Sequence, residues 1–193
     1  MMKIYLIRHG YTHANEKKLY AGATDLPLSQ AGVRALKELR AQGIYPGEAD
    51  LYFTSGLLRT EQTLELICGP VQATALPSLA EYNFGQFEMH SYERLKERED
   101  YTAWVADQTD LLSCPGGENR QQFYTRVQKG LAQLFENSRG KHSVLAVLHG
   151  GVIARIMQIL LPGVREFYMW QPMPGRGFVL EYKNGEVADF EEA

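Results

Sequence analysis

The chain has little cysteine and no long apolar run. Its two cysteines, Cys68 and Cys114, lie far apart and outside any CxxC pair, so neither a disulfide framework nor a zinc site built on cysteine is expected. No apolar run approaches the roughly 18–20 residues of a membrane-spanning helix. The apolar run at residues 4–7 is too short for the core of a signal peptide. The sequence therefore predicts a cytoplasmic protein with reduced thiols and no membrane contact.

An excess of charge of one sign is also missing. The chain has 20 Lys and Arg residues against 23 Asp and Glu residues, which gives a net charge of −3 without a long basic or acidic run. A general surface for nucleic acid or membrane is therefore not expected, although a local cationic pocket can sit on a mildly acidic protein. The length of 193 residues and the 45% share of hydrophobic residues indicate one domain over residues 1–193.

Apolar and amphipathic segments alternate through most of the sequence. We expect strands at 3–7, 50–55, 71–76 and 143–151, helices at 30–42, 56–68, 119–138 and 152–161, and a final hairpin at 177–190. The β-α-β-α-β order at the start favours an α/β fold with three layers, α/β/α, around a mostly parallel central sheet. Residues 8–28 contain no clear period and are predicted to form a loop.

Residues 80–117 break this alternation. They combine aromatic residues with mixed charge, and we expect one or two irregular helices that form an insertion over the sheet. Its aromatic residues include Tyr82, Phe84, Phe87, Tyr92 and Trp104. These rings either shape a pocket for part of a ligand or pack the insertion onto the sheet, and the sequence does not separate the two.

Two predicted strands end in the same way. The segments "YLIRHG" and "LAVLHGG" both finish in His-Gly, with His9 in the first and His149 in the second. Ligands of open parallel sheets bind at the carboxyl ends of the strands, so both histidines are expected at the same edge. The glycines that follow, Gly10 and Gly150, would let a ligand approach the backbone closely.

Two arginines are predicted at the same edge. Arg8 precedes His9, and Arg59 lies in the first turn of the helix that follows the strand "LYFTS". Together with a helix N-terminus they would form a cationic pocket suited to a phosphate dianion, which arginine binds bidentately without a metal ion. Thr12 and Asn15, in the loop after the first strand, offer a hydroxyl and an amide donor.

Six motifs follow one another in an informative order. They are "LIRHGYTHAN", "LYAGATDLPLSQAG", "TSGLLRTEQT", "LAEYNFGQFE", "PGGEN" and "VLHGGVIARI". Together they resemble the histidine phosphatase superfamily, also called phosphoglycerate mutase-like, over about residues 3–157. The resemblance rests on all six motifs in this order, because the tripeptide Arg-His-Gly alone would be weak evidence.

The resemblance implies a phosphomonoesterase that needs no metal or other cofactor and acts through a phosphohistidine. His9 would attack phosphorus and Glu81 would protonate the leaving oxygen. The phosphoryl oxygens would be bound by Arg8, Arg59 and His149. The further candidates for contact with the phosphate or the substrate are Thr12, Asn15, Gly22, Tyr82 and Gly150. The partner is a small-molecule phosphate monoester, and the insertion at 80–117 would cover the active site as a substrate lid.

Histidine suits this chemistry. Its reference pKa of about 6.5 leaves the imidazole largely neutral near pH 7, and neighbouring arginines disfavour the imidazolium of His9. Positive charge held in place stabilises the transferring phosphoryl group, and a covalent intermediate divides the reaction into two displacements. Glu81 must start protonated in order to give a proton to an alkoxide, and it can then act as a base toward water.

Another spacing in the sequence points to different chemistry. The segment "HGYTH" places His9 and His13 four residues apart, as in metal-binding helices. A site of that kind also requires a helix and a glutamate after the first histidine. Neither is expected here, so no metal site is predicted.

Three positions depart from the pattern of the family. Tyr11 stands where Glu or Gln is frequent, and Met89 follows Glu88 where many members have Gly. Ala14 stands where mutases of this type usually have Trp, and those mutases also tend to be longer. The resemblance therefore favours hydrolysis over the alternative, a phosphoglycerate mutase.

Two segments of the insertion resemble one particular group within the family. Its segments "FGQFEMHSYERL" and "YTAWVAD" are similar to alpha-ribazole phosphatases of the cobalamin pathway, which act on alpha-ribazole 5′-phosphate or its cobalamin conjugate. A second alternative is an inactive module that binds a phosphate ligand. The oligomeric state stays open, with a homodimer through the terminal hairpin as one arrangement.

Overall fold

A six-stranded mixed sheet forms the centre of the computed structural model, which describes all of residues 1–193. The strands are β1 (Met2–Arg8), β2 (Leu51–Thr54), β3 (Ala73–Ala75), β4 (Ser143–Leu148), β5 (Gly177–Lys183) and β6 (Glu186–Glu192). They lie in the order β3-β2-β4-β1-β5-β6. The first four are parallel, whereas β5 is antiparallel to β1 and β6 is antiparallel to β5. The predicted α/β fold with a mostly parallel sheet is confirmed.

Helices cover both faces of this sheet. They are α1 (His13–Glu16), α2 (Gln30–Ala41), α3 (Leu58–Cys68), α4 (Tyr92–Leu95), α5 (Glu99–Ala106), α6 (Arg120–Asn137) and α7 (Gly150–Leu160). Along β4, Val144, Ala146 and Leu148 belong to a hydrophobic cluster shared with α6 and α7. Leu145 and Val147 point the other way, into a cluster shared with α2 and α3. The predicted three-layer α/β/α arrangement is therefore confirmed.

One predicted loop contains a short helix, and one predicted helix begins later than expected. The predicted loop at 8–28 contains the single turn α1, which Thr12 and Asn15 cap by bonding each other's backbone N–H groups. One turn is too short to show a hydrophobic period. The helix predicted from residue 56 begins at Leu58, because Leu57 is extended and its N–H donates to the Ser55 hydroxyl.

The strand predicted at 143–151 is also shorter than expected. It ends at Leu148, and His149 is the extended N-cap residue of α7. The terminal hairpin is confirmed, and Asn184 and Gly185 turn it with φ values of 54° and 92°. Such positive values are those of a two-residue hairpin turn. None of the helices combines the length and the apolar character needed to span a membrane.

Residues 80–117 contain α4, α5 and a 3₁₀ turn at Gly85–Phe87. The rings of Tyr82, Phe87 and Trp104 are buried in the larger hydrophobic cluster, and Phe84 packs against it. Tyr92 is exposed. Packing therefore accounts for most of the aromatic residues for which the sequence left two roles open.

Candidate active site

The carboxyl ends of β1, β2 and β4 meet at one edge of the sheet. Strand β1 pairs with β4 so that Arg8 lies opposite Leu148. His9 and His149 therefore leave the sheet side by side, with their ring centroids 5.2 Å apart. Both imidazoles are buried. The register of two parallel strands is thus sufficient to bring the two histidines together.

Hydrogen bonding and charge leave His9 with one available nitrogen. Its Nδ1 lies 2.7 Å from the carbonyl oxygen of Gly10. Because a carbonyl only accepts, Nδ1 carries the proton and Nε2 keeps its lone pair. Burial, and then the charges of Arg59 and Arg8, lower the pKa of His9 to about 3. The imidazole is therefore neutral near pH 7 and presents Nε2 as a nucleophile.

Backbone carbonyls hold the guanidinium of Arg59, which is only 2% exposed. Its Nη1 donates to the carbonyl of Thr24 at 2.9 Å and its Nη2 to the carbonyl of Gly22 at 2.7 Å. The carbonyl of Arg59 accepts a hydrogen bond from the Thr63 hydroxyl at 2.7 Å. The oxygen of that hydroxyl accepts from the N–H of Gly10 at 3.0 Å. Thr63 therefore ties the end of β1 to α3.

The second guanidinium, of Arg8, lies beside the start of α7. Its Nη1 donates to the carbonyl of Pro172 at 2.8 Å. A Cβ on Gly150 would stand 3.0 Å from Cζ of Arg8, so this glycine leaves room for the side chain. Nε of Arg8 is buried and has no partner in the protein. Burial lowers the pKa of Arg8, but arginine stays protonated at neutral pH, and this N–H can serve an anion.

Glu81 is bound to the N-terminus of α7. Its Oε2 accepts from the N–H of Gly151 at 3.0 Å, and its Oε1 accepts from the N–H of Tyr82 at 3.0 Å. A Cβ on Gly151 would stand 2.6 Å from Oε1 of Glu81, and a Cβ on the preceding Gly150 would stand 3.0 Å from Cζ of Arg8, so both side chains lie at the start of α7. The charge of Glu81 raises the pKa of both Arg8 and Arg59, against the lowering effect of burial. The carboxylate, the two guanidiniums and the two imidazoles thus occupy one site.

Four other predicted binding residues make close contacts with other parts of the protein. The Thr12 hydroxyl donates to Oδ1 of Asn15 at 2.9 Å, which leaves Nδ2 of Asn15 as a donor. A Cβ on Gly22 would stand 1.6 Å from the carbonyl oxygen of Tyr82, so only glycine fits there. The Tyr82 hydroxyl donates to the carbonyl of Glu118 at 2.6 Å. Gly22 thus permits the close approach of the Tyr82 backbone, whereas Asn15 keeps a donor for a ligand.

Three polar residues that sequence reasoning missed support the site. Ser55 lies with its Oγ 2.8 Å from Nε2 of His149. It follows β2 as His9 follows β1, and the same rule about strand ends would have found it. Thr63 lies one helical turn after Arg59, a spacing that puts the two on the same side of α3. The third residue, Glu88, has no comparable signal.

Glu88 clamps the loop that holds Arg59. Its Oε1 accepts from the N–H of Ala23 and its Oε2 from the N–H of Thr24, both at 2.7 Å. The Thr24 hydroxyl also bonds Oε2. The carbonyl of Gly22 and the N–H of Ala23 belong to the same peptide group. That group therefore connects Arg59 on one side to Glu88 on the other.

The positive charge of the site comes from its arginines. No group of three or more His, Cys, Asp or Glu side chains lies close enough to hold a metal ion. His13, the second histidine of "HGYTH", is exposed on α1, whereas His9 is buried at the end of β1. The two histidines thus do not share a helical face.

Nearly the whole chain is similar to proteins of one family. The model of the histidine phosphatase superfamily (branch 1) matches residues 4–188. An adenosylcobalamin/alpha-ribazole phosphatase of Escherichia coli (strain K12) is 33% identical over 175 residues, 88% of this chain and 83% of that protein. The alpha-ribazole phosphatase from Shigella flexneri superposes with a TM-score of 0.83 at 27% identity, over 96% of this chain and 93% of that one. A phosphoglycerate mutase from Thermus thermophilus gives a TM-score of 0.72 at 26% identity, over 98% of both chains.

Proposed function

The chain belongs to the histidine phosphatase superfamily, and we propose that it hydrolyses phosphate monoesters through a phosphohistidine on His9. The observation that carries this proposal is the state of His9. It is a buried, neutral imidazole whose Nδ1–H is committed to Gly10 and whose free Nε2 shares a pocket with the two guanidiniums. A neutral nitrogen nucleophile beside fixed positive charge is suited to attack on a phosphate dianion.

In the first step, Nε2 of His9 forms a bond to phosphorus and the ester P–O bond breaks. The hydrogen bond from Nδ1–H to the Gly10 carbonyl stabilises the positive charge that develops on the ring. With the substrate bound, the phosphate dianion beside Glu81 favours a proton on one carboxyl oxygen, and Glu81 gives this proton to the departing alkoxide. The alcohol leaves, and Glu81 is left as a carboxylate.

In the second step, water attacks the phosphohistidine. The Glu81 carboxylate takes a proton from the water as its oxygen bonds to phosphorus. The N–P bond breaks, its electrons return to Nε2 of His9, and inorganic phosphate is released. Glu81 is then protonated again, as it was with the substrate bound.

The arginines bind the charge of the phosphoryl group in both steps. Arg59 is held by two carbonyls and Arg8 by one, so neither guanidinium needs to be ordered when the substrate arrives. Charge that is already in place costs little reorganisation during the reaction. Asn15 Nδ2 and the buried Nε of Arg8 supply further donors.

We propose alpha-ribazole 5′-phosphate, or its cobalamin conjugate, as the substrate. Support comes from the similarity to alpha-ribazole phosphatases over most of the chain and from the motifs of the insertion at 80–117. We further propose that residues 1–193 form a single domain, with this insertion as the lid over the leaving group. Both cysteines are free, which suits a reducing compartment such as the cytoplasm.

A panel of phosphate monoesters tests this function. We expect kcat/KM for alpha-ribazole 5′-phosphate to exceed that for 3-phosphoglycerate and simple alkyl phosphates by about 100-fold or more, the difference that a specific leaving-group site provides. Interconversion of the two phosphoglycerates with a bisphosphoglycerate primer, faster than hydrolysis, would favour a mutase. Binding of phosphate without turnover of any ester would favour an inactive module.

Replacing Gly151 by alanine is predicted to displace the proposed acid. The new Cβ would stand 2.6 Å from Oε1 of Glu81, so the carboxylate has to move. We expect kcat for alkyl phosphates to fall about 10- to 100-fold, since small misplacements of a catalytic group have effects of this size. The control is Gly47→Ala, where a Cβ meets nothing within 4 Å. Equal kcat values in the two variants would contradict the prediction.

His9 is predicted to stay neutral throughout the physiological range of pH. Its pKa is lowered to about 3, mainly by burial and the charge of Arg59, so protonation requires far more acid than for an ordinary histidine. We expect its ring resonances in NMR spectra to be constant between about pH 5 and pH 8, where a free histidine titrates. The His9→Ala variant assigns the signals. A midpoint near the reference pKa of about 6.5 would contradict the neutral nucleophile.

A further inference from the structure

His149 has one ring nitrogen that is engaged and one that is not. It is fully buried at the N-cap position of α7, and its Nε2 lies 2.8 Å from Oγ of Ser55. Its Nδ1 is also buried and has no partner in the protein. A buried polar atom without a partner costs free energy, so Nδ1 is suited to a ligand. What Nδ1 can offer depends on whether it carries the ring proton.

The hydrogen bonds of Ser55 indicate the position of that proton. Thr60 donates its own hydroxyl proton to the carbonyl of Leu57 at 2.7 Å, so toward Ser55 it can only accept. The Ser55 oxygen in turn accepts from the N–H of Leu57 at 3.3 Å. Its single proton thus has two acceptors, Thr60 at 3.3 Å and Nε2 of His149 at 2.8 Å. The imidazole nitrogen is the closer of the two.

We propose that Ser55 is a positioning residue that donates its proton to Nε2 of His149 and so places the ring proton on Nδ1, where it is donated to the phosphoryl group. The inference rests on the proposed function, because it needs a phosphoryl group on or beside His9. The two imidazoles are 5.2 Å apart between centroids, so such a group lies within reach of His149.

The opposite tautomer would work against binding. With the proton on Nε2, Nδ1 would present a lone pair to a negatively charged oxygen. Burial, followed by the charges of Arg59 and Arg8, holds the pKa of His149 well below its ordinary value. The ring therefore carries one proton only, and its placement decides whether His149 attracts or repels the phosphoryl group.

¹⁵N NMR spectra of the wild-type protein, with and without inorganic phosphate, test the tautomer directly. We expect Nε2 of His149 to resonate as the unprotonated nitrogen and Nδ1 as the protonated one in both samples. The His149→Gln variant assigns the signals. A proton on Nε2 of His149 in either sample would overturn the inference, whatever the kinetic parameters of the Ser55 and Thr60 variants.

Kinetics test the consequence. Ser55→Ala is expected to lower kcat/KM for a phosphate monoester about 10-fold, the scale of one hydrogen bond, and to leave a mixture of His149 tautomers. Ser55→Thr, which keeps the hydroxyl, should restore both readouts. Thr60→Val removes the competing acceptor and the bond that the Thr60 hydroxyl donates to the carbonyl of Leu57. It leaves the contact between Ser55 and His149 in place, so kcat/KM should stay within about twofold of wild type. Equal losses in Ser55→Ala and either other variant would overturn the inference.

The result can be separated from a failure of the proposed function. A protein that hydrolyses monoesters through His9 but carries the proton on Nε2 of His149 would refute only the role of Ser55. A protein that turns over no ester would refute the proposed function. The His149 tautomer could still be measured in that protein, because the NMR experiment needs no turnover. In that case the proton on Nδ1 would still support phosphate binding by this tautomer.

Discussion

Replacement of His9 by alanine is expected to lower kcat/KM for phosphate monoesters by about 10⁴-fold or more, because no other group can carry the covalent intermediate. Inorganic phosphate should still bind to this variant, since both guanidiniums are held by backbone carbonyls that the substitution does not touch. The loss is thus expected in turnover much more than in affinity for phosphate.

Trapping of the intermediate checks this result. Wild-type protein quenched during turnover of a radiolabelled ester should carry acid-labile phosphate, and His9→Ala should carry none. The matched control is His13→Ala, four residues away on the exposed face of α1, which should keep wild-type turnover and labelling. Full turnover in His9→Ala, with any ester, would refute the phosphohistidine mechanism.

Replacement of Glu81 by glutamine has the second largest expected effect. Glutamine keeps the size of the side chain, and its carbonyl can still accept the N–H of Gly151, but its amide has no acidic proton to transfer. We expect kcat for alkyl phosphates to fall about 10²- to 10⁴-fold, the contribution of a general acid. Esters of acidic phenols need no proton on departure, so their conversion to phosphoenzyme should fall much less.

A series of esters with leaving groups of graded acidity measures this effect. In single-turnover experiments, the rate of phosphoenzyme formation should depend more steeply on the leaving group in Glu81→Gln than in wild type. Glu93→Gln is the control, because Glu93 is an exposed carboxylate paired only with Lys96. An identical dependence in wild type and Glu81→Gln would show that another group donates the proton.

The placement of both histidines could be predicted because it depends on short-range pattern. An apolar run that ends in His-Gly specifies a buried strand and the residue at its carboxyl end, and parallel strands share that edge. The same reasoning applies to Arg59, which starts the helix after β2. The catalytic edge of the sheet was therefore accessible from residue order alone.

The contacts that support the site could not be predicted from residue order. The role of Glu88 depends on the folded path of the whole insertion, which brings its carboxylate to a loop 64 residues earlier in the sequence. Tyr82 stays a candidate for contact with the substrate, but the hydrogen bond from its hydroxyl to the backbone of Glu118 depends on packing that the sequence does not show. Glu81 had no local signal at all and was identified through family motifs.

The clamp formed by Glu88 connects the insertion at 80–117 to the loop that holds Arg59. A peptide group is planar and rigid, so the carbonyl of Gly22 cannot turn toward or away from Arg59 without carrying the N–H of Ala23 with it. That N–H is bound to Glu88, a residue of the insertion that covers the leaving group in the proposed mechanism. In the proposed mechanism, the position of the insertion and the position of the Arg59 guanidinium are thus linked through this one peptide group. One peptide group would therefore connect the segment that selects the alcohol to the residue that stabilises the charge of the phosphoryl group.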